Sequence, residues 1–169
     1  MGNHFKSTNW LMAVILLAFT LAAAPASSNT AADTAESRNE AIVREAFDGW
    51  SKGENVFRIL SPQVKWTIMG SGPIAGVYNS RDDLVGRGAG PLVSRLAGPL
   101  KPVLHHIWAS GDKVIIRFDA SAPTSSGATY SNSFVWIFTM KDGEVTEAEA
   151  FLDLVAYQDV LDNNSPRSQ

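Results

Sequence analysis

Two short runs, Arg117-Phe118-Asp119 and Phe151-Leu152-Asp153, offer two carboxylates and one guanidinium to a single cavity if the strands that carry them converge. An Asp-Arg-Asp cluster in a dry pocket holds one carboxyl ionised and the other protonated. Like charges sharing a site raise one pKa while the arginine lowers the other. General acid and general base then coexist near neutral pH. The same residues also suit a structural ion pair that closes a small barrel.

Alternation along Val114-Ile115-Ile116-Arg117-Phe118-Asp119-Ala120 puts Arg117 and Asp119 on one face and Val114, Ile116 and Phe118 on the other. Parity makes Arg117 and Asp119 companions without deciding whether their face is buried or wet. On the last strand Glu147, Glu149, Phe151 and Asp153 share parity. A strand end or bulge near Asp153 would free its direction from that of the glutamates. Glu149 is otherwise either a pocket carboxylate or a solvent-facing strand residue.

His105 and His106 are neighbours on one strand, so alternation sends only one of them into a cavity and rules out joint chelation of a metal. One of the pair either assists proton transfer or is a hydrogen-bonded structural histidine. Tyr130 and Asn132 alternate with Phe134, Trp136, Phe138 and Met140 to make an aromatic face. That face either lines the cavity or pairs with a second copy, and the expectation here is a homodimer. The glycines of 70–72 and 86–90 lack the strand-then-helix context of a phosphate cradle and read as loop. Residues 91–99 are expected to form a mobile cover over the cavity mouth.

Helices must come first to position these residues, and strands afterwards. Ala41, Ile42, Glu45, Ala46 and Trp50 predict a helix over 34–52, followed by a short one over 54–60 and a strand through Val64, Trp66 and Ile68. Ser80 is a credible N-cap for a helix over 81–96. Strands are predicted over 103–109, 113–120, 129–140 and 144–151, joined by turns at Gly111-Asp112, around Gly127 and at Asp142-Gly143. A closing helix over 153–161 completes an α+β chain.

The first 26 residues read as an export signal: Lys6, an apolar run from Trp10 to Ala24, and the small residues Ala24-Pro25-Ala26. Residues 27–33 form an expected flexible leader, 34–162 the domain, and 163–169 a disordered tail. The predicted location is therefore periplasmic or secreted, with no stable membrane insertion after cleavage. With no cysteine, the chain has no disulfide, thiol nucleophile or cysteine metal site. A formal charge of −3 and no basic cluster argue against nucleic acid as a partner.

From the helix near Ala41 to the helix after Asp153, the chain resembles the nuclear transport factor 2-like superfamily of cone-shaped α+β domains, in its SnoaL-like and limonene epoxide hydrolase-like branch. The sharpest likeness is the ordered set of an Arg-x-Asp strand, a Pro-Thr and Gly turn, a Tyr-x-x strand, an acidic-Gly hairpin and an aromatic-x-Asp end. The resemblance implies N-terminal helices on a curved, mainly antiparallel sheet around an apolar pocket. It also implies Asp153 as the base that activates water, Asp119 as the acid, and Arg117 as the bridge, with no cofactor and no metal. The tyrosine and asparagine that hold water in those hydrolases correspond to Trp66 and Ile68, where indole offers one donor and isoleucine none. With His105, Tyr130 and Glu149, these complete the expected pocket. The implied activity is epoxide hydrolysis, or cyclisation or isomerisation, on a small hydrophobic molecule. The alternative is a non-catalytic binding module using the same pocket.

Overall fold

The structure, a computed structural model, describes residues 1–2 and 28–167, with side chains from 35 onward after the first two residues. The expected export signal lies almost wholly outside the described residues. Helix α1 spans Ser28–Ser51 and presents Val43, Ala46, Phe47 and Trp50 at helical spacing to the interior. It starts earlier than the predicted boundary and takes in most of the stretch expected to be a flexible leader. Ala31 and Ala32 within that stretch and Ala35 just after it favour helix. A 3-10 turn over Val56–Ile59, capped by Asn55 through its bond from the Phe57 N–H, leads into strand β1, Leu60–Ile68.

Short strand β2, Gly76–Tyr78, pairs antiparallel with β1. A helical segment follows in three parts: α2 at Arg81–Asp83, a π-helical turn at Leu84–Ala89, and α3 at Gly90–Val93. Ser80 caps its start by accepting from the Asp83 N–H at 3.0 Å. The wide turn arises where the Gly90 N–H reaches back five residues to the Val85 carbonyl. A Cβ at position 90 would stand 2.8 Å from that carbonyl oxygen, so the turn requires glycine there.

Strands β3 (Lys101–Ser110), β4 (Lys113–Pro123), β5 (Thr129–Lys141) and β6 (Glu144–Leu152) make an antiparallel meander. The six strands form one curled sheet in the order β2-β1-β6-β5-β4-β3, with β1 and β6 parallel. Helix α4, Leu154–Asn163, follows β6 and buries Tyr157 and Val160. Residues 164–167 are tied down rather than frayed. Arg95 Nε donates to the Asn164 carbonyl at 2.9 Å, and the Arg167 N–H donates to the Ser94 carbonyl at 2.8 Å.

One face of the sheet makes the core. Val114, Ile116 and Phe118 of β4 stand opposite Phe138, Trp136 and Phe134 of β5, and all six are buried. Phe47 of α1 meets Phe118 edge-on at 4.9 Å, which fastens the helix over this face. Full burial of such a ring is worth roughly 1.5–3 kcal/mol. On the neighbouring strand β6 the inward residues are small. Ala148 and Ala150 lie between Trp66 and Ile68 on one side and Phe138 and Trp136 on the other. Two alanines among large rings leave volume that the core does not fill.

Candidate functional site

That volume is a cavity of about 260 Å³ between the helices and the inner face of the sheet. Its wall is built from Trp50 in the last turn of α1, Phe57, Trp66 and Ile68 of β1, Leu84 and Gly88 of the π-helical turn, Leu92 and Val93 of α3, Phe134 and Trp136 of β5, Ala150 of β6 and Tyr157 of α4. Trp136 is the hub of this wall. Its ring lies parallel to Trp50 at 6.0 Å and perpendicular to Trp66 at 5.0 Å. Such rings offer a broad apolar contact of fixed geometry.

Few polar groups reach the cavity. The Tyr157 hydroxyl donates to the Gly88 carbonyl at 2.9 Å, satisfying a backbone acceptor of the π-helical turn. Burial pushes its pKa up to about 12, so it stays protonated. Glu54 and Asn55, in the connection after α1, complete the polar lining. Among the described residues no three metal-ligating side chains come together.

The structure does not bring Arg117, Asp119 and Asp153 to one place. Because Val114, Ile116 and Phe118 face inward, their alternates Arg117 and Asp119 stand on the outer face of the sheet. There the Asp119 carboxylate accepts from Ser133 Oγ at 2.6 Å, is paired with His105 Nε2 at 2.7 Å, and accepts from Arg117 Nη1 at 2.7 Å. Ser133, His105 and Arg117, in that order, hold its pKa well below the usual carboxylate range. Asp119 is therefore an ionised carboxylate at neutral pH, with no proton to give.

Asp153 is the N-cap of α4, and its Oδ1 accepts from the backbone N–H groups of Val155 at 2.9 Å and Ala156 at 3.0 Å. It sits just beyond the end of β6, so strand parity does not fix its direction. Asn132 decides it: this buried side chain bonds both backbone groups of Asp153.

The expected pocket residues divide. Trp66 and Ile68 stand in the cavity wall. Tyr130 is on the inner face but buried beside Asn132, whose Nδ2 donates to its hydroxyl at 2.9 Å, and it does not line the cavity. Glu149 points outward, across from Thr67, in a polar groove with Lys65 and Lys113. His105 and His106 both stand on the outer face, against the expectation that one would turn inward. The β3–β4 register slips between Leu104 and His106, and such a bulge breaks strict alternation. His106 stacks on Trp108 at 5.1 Å while His105 reaches Asp119.

Two further expectations change. The Phe134, Trp136, Phe138 and Met140 face is buried within its own domain, so it lines the cavity and core and is not a surface for a second copy. Residues 91–99 are a packed wall rather than a mobile cover: Leu92 and Leu96 are buried, and the Ala97 N–H donates to the Pro123 carbonyl at 2.7 Å. Alternation had grouped Trp136 with its aromatic neighbours, and the missing clue was Ala148 and Ala150, small residues that make room beside them. The sequence predicts Glu54 as the start of a short helix over 54–60 and not as a ligand contact; the structure starts a 3-10 turn only at Val56 and leaves Glu54 in the connection before it.

Residues 40–148 match the family model described as a SnoaL-like domain. Among solved structures, Bal32a from a soil-derived mobile gene cassette is similar at 22% identity, over 75% of this chain and 98% of that one, with a TM-score of 0.63. An NTF2-like protein from Burkholderia thailandensis E264 is similar at 21% identity, over 73% and 96%, with a TM-score of 0.61. TerC, co-crystallised with polyporic acid, is similar at 21% identity, over 75% and 99%, with a TM-score of 0.60. At these identities the likeness is one of fold. No curated protein matches the chain.

Proposed function

The chain belongs to the SnoaL-like domain family, and from that premise we propose that it binds a small hydrophobic molecule in the cavity between its helices and sheet. The observation that carries this reading is the wall itself, where Trp50, Phe57, Trp66 and Trp136 surround a space that Ala150 leaves open. Binding is preferred to acid–base turnover by Arg117, Asp119 and Asp153, because two of these stand on the opposite face and the third caps a helix. The co-crystallisation of TerC with polyporic acid supports a small-molecule reading for this fold.

The test uses N-phenyl-1-naphthylamine, a neutral fluorescent hydrophobe. Wild type is expected to enhance its emission and to lose tryptophan emission in return. Ala150→Phe fills the cavity and is expected to weaken binding at least about tenfold, with circular dichroism unchanged; the milder Ala150→Val covers the case where overpacking, at about 1–3 kcal/mol, unfolds the larger variant. Undiminished binding in both folded variants overturns the reading.

Export and pairing are proposed on separate grounds. The leader of Lys6 and the apolar run ending near Ala26 support a protein delivered to the periplasm or beyond, which the mass of the mature N-terminus tests. A homodimer is proposed through the outer sheet face, where Val103 and Trp108 are 58% and 53% exposed and Ile115 and Phe151 stand beside charges of both signs.

A further inference from the structure

Resting on the reading of the cavity as a ligand site, we propose that the cavity selects hydrophobic molecules whose polar end is a cation and rejects those ending in an anion, with Glu54 at the mouth as the selecting residue. Among the described residues that line the cavity none is basic, and Glu54 is the one carboxylate. Its side chain is 58% exposed, so it meets the polar end of a ligand whose body is inside.

Arg58 does not cancel this charge. Its guanidinium is divided between Glu54 at 3.7 Å and Glu45 at 3.5 Å, so the three groups together carry one net negative charge. The backbone adds to it. Trp50 lines the cavity from the last turn of α1, where the helix macrodipole is negative. Aromatic faces in the wall attract a cation and repel an anion. Two groups oppose it: Asn55 Oδ1 is engaged by the Phe57 N–H at 2.9 Å, which leaves its amide as a neutral donor, and Tyr157 lines the cavity from the first turn of α4, whose positive end is offset by the Asp153 cap. An uncharged donor and a carboxylate-capped helix start are outweighed by a full negative charge, a helix end and the ring faces.

The carboxylate is placed by Gly49. A Cβ at position 49 would come within 2.5 Å of Glu54 Oε2, so the absence of a side chain there lets the carboxylate lie against α1. Gly49→Ala therefore moves the charge without removing it, and it favours the helix.

The experiment displaces bound N-phenyl-1-naphthylamine with two ligands of one body and opposite ends, 1-naphthylmethylamine and 1-naphthaleneacetic acid, at neutral pH and low salt. Wild type is expected to prefer the amine by about tenfold, an amount suited to a single exposed charge that attracts one end and repels the other, and to lose much of the preference in high salt. Glu54→Gln is expected to bring the amine-to-acid ratio near unity, the ratio being taken within each variant so that any change in affinity for the neutral probe cancels, and Gly49→Ala to lower it. A wild-type preference for the acid, or a ratio unchanged in Glu54→Gln, overturns the selection while leaving the cavity reading standing. Failure of the neutral probe itself to bind overturns both.

Discussion

Asn132 grips Asp153 by both of its backbone groups: the Asp153 N–H donates to Asn132 Oδ1 at 2.9 Å, and Asn132 Nδ2 donates to the Asp153 carbonyl at 2.8 Å. A buried amide on β5 thereby fixes the corner between β6 and α4, and with it the direction of the Asp153 carboxylate. Asn132→Leu leaves the corner's polar groups and the Tyr130 hydroxyl without their partner. The expected loss is about 1–3 kcal/mol for each group left unsatisfied, read as a lower urea midpoint with an unchanged slope.

The cap at Asp153 makes a different prediction. Asparagine caps helices as well as aspartate, so Asp153→Asn is expected to retain stability, while Asp153→Ala costs about 0.5–2 kcal/mol. Ligand affinity should be the same in wild type and Asp153→Asn. A drop of tenfold or more in binding or turnover with Asp153→Asn would return this carboxylate to the ligand's side.

The outer cluster predicts a pH dependence. Asp119 has a folded pKa below its ordinary 3.8, so its contribution to stability is present above that value and lost as the pH falls through the folded one. Thermal melts of wild type and Asp119→Asn should therefore differ most near neutral pH, with the gap closing as the pH is taken below 3.8. A gap that is constant with pH would mean that the three hydrogen-bonding partners do not favour the ionised form. Because the cluster is partly open to water, Arg117→Ala is expected to be mild and to leave ligand binding untouched.

Sedimentation tests the paired sheet. Wild type is expected to be a dimer at micromolar concentration, and Trp108→Asp, which places a charge on the exposed part of the apolar stripe, a folded monomer. A monomeric wild type would remove the proposal. Binding of N-phenyl-1-naphthylamine should survive in the Trp108→Asp monomer, since the cavity opens on the other side of the sheet.

Gly90 offers a local check on the wall. Gly90→Ala puts a methyl group against the Val85 carbonyl oxygen, so it is expected to lower the melting temperature despite alanine's better helix propensity. Gly49→Ala, where the neighbour is the movable end of Glu54, should not.

Local pattern alone determined that Arg117 and Asp119 are companions, that Ser80 begins a helix, and that strands follow helices, because these depend on side-chain alternation and on the chemistry of a few adjacent backbone groups. Which face of the sheet looks inward was decided by the tertiary structure. Phe47 and Trp50 of α1 bury the Phe118 and Trp136 face, and that leaves Arg117 and Asp119 outside with His105. A one-residue slip in register carried His105 and His106 to the same side, which no count of residues along one strand reveals. The cavity is likewise a property of packing. It exists because Ala150 on β6 lies beside Ile68 on one neighbouring strand and Trp136 on the other, and that neighbourhood forms only when the distant strand β1 pairs with the β5–β6 hairpin.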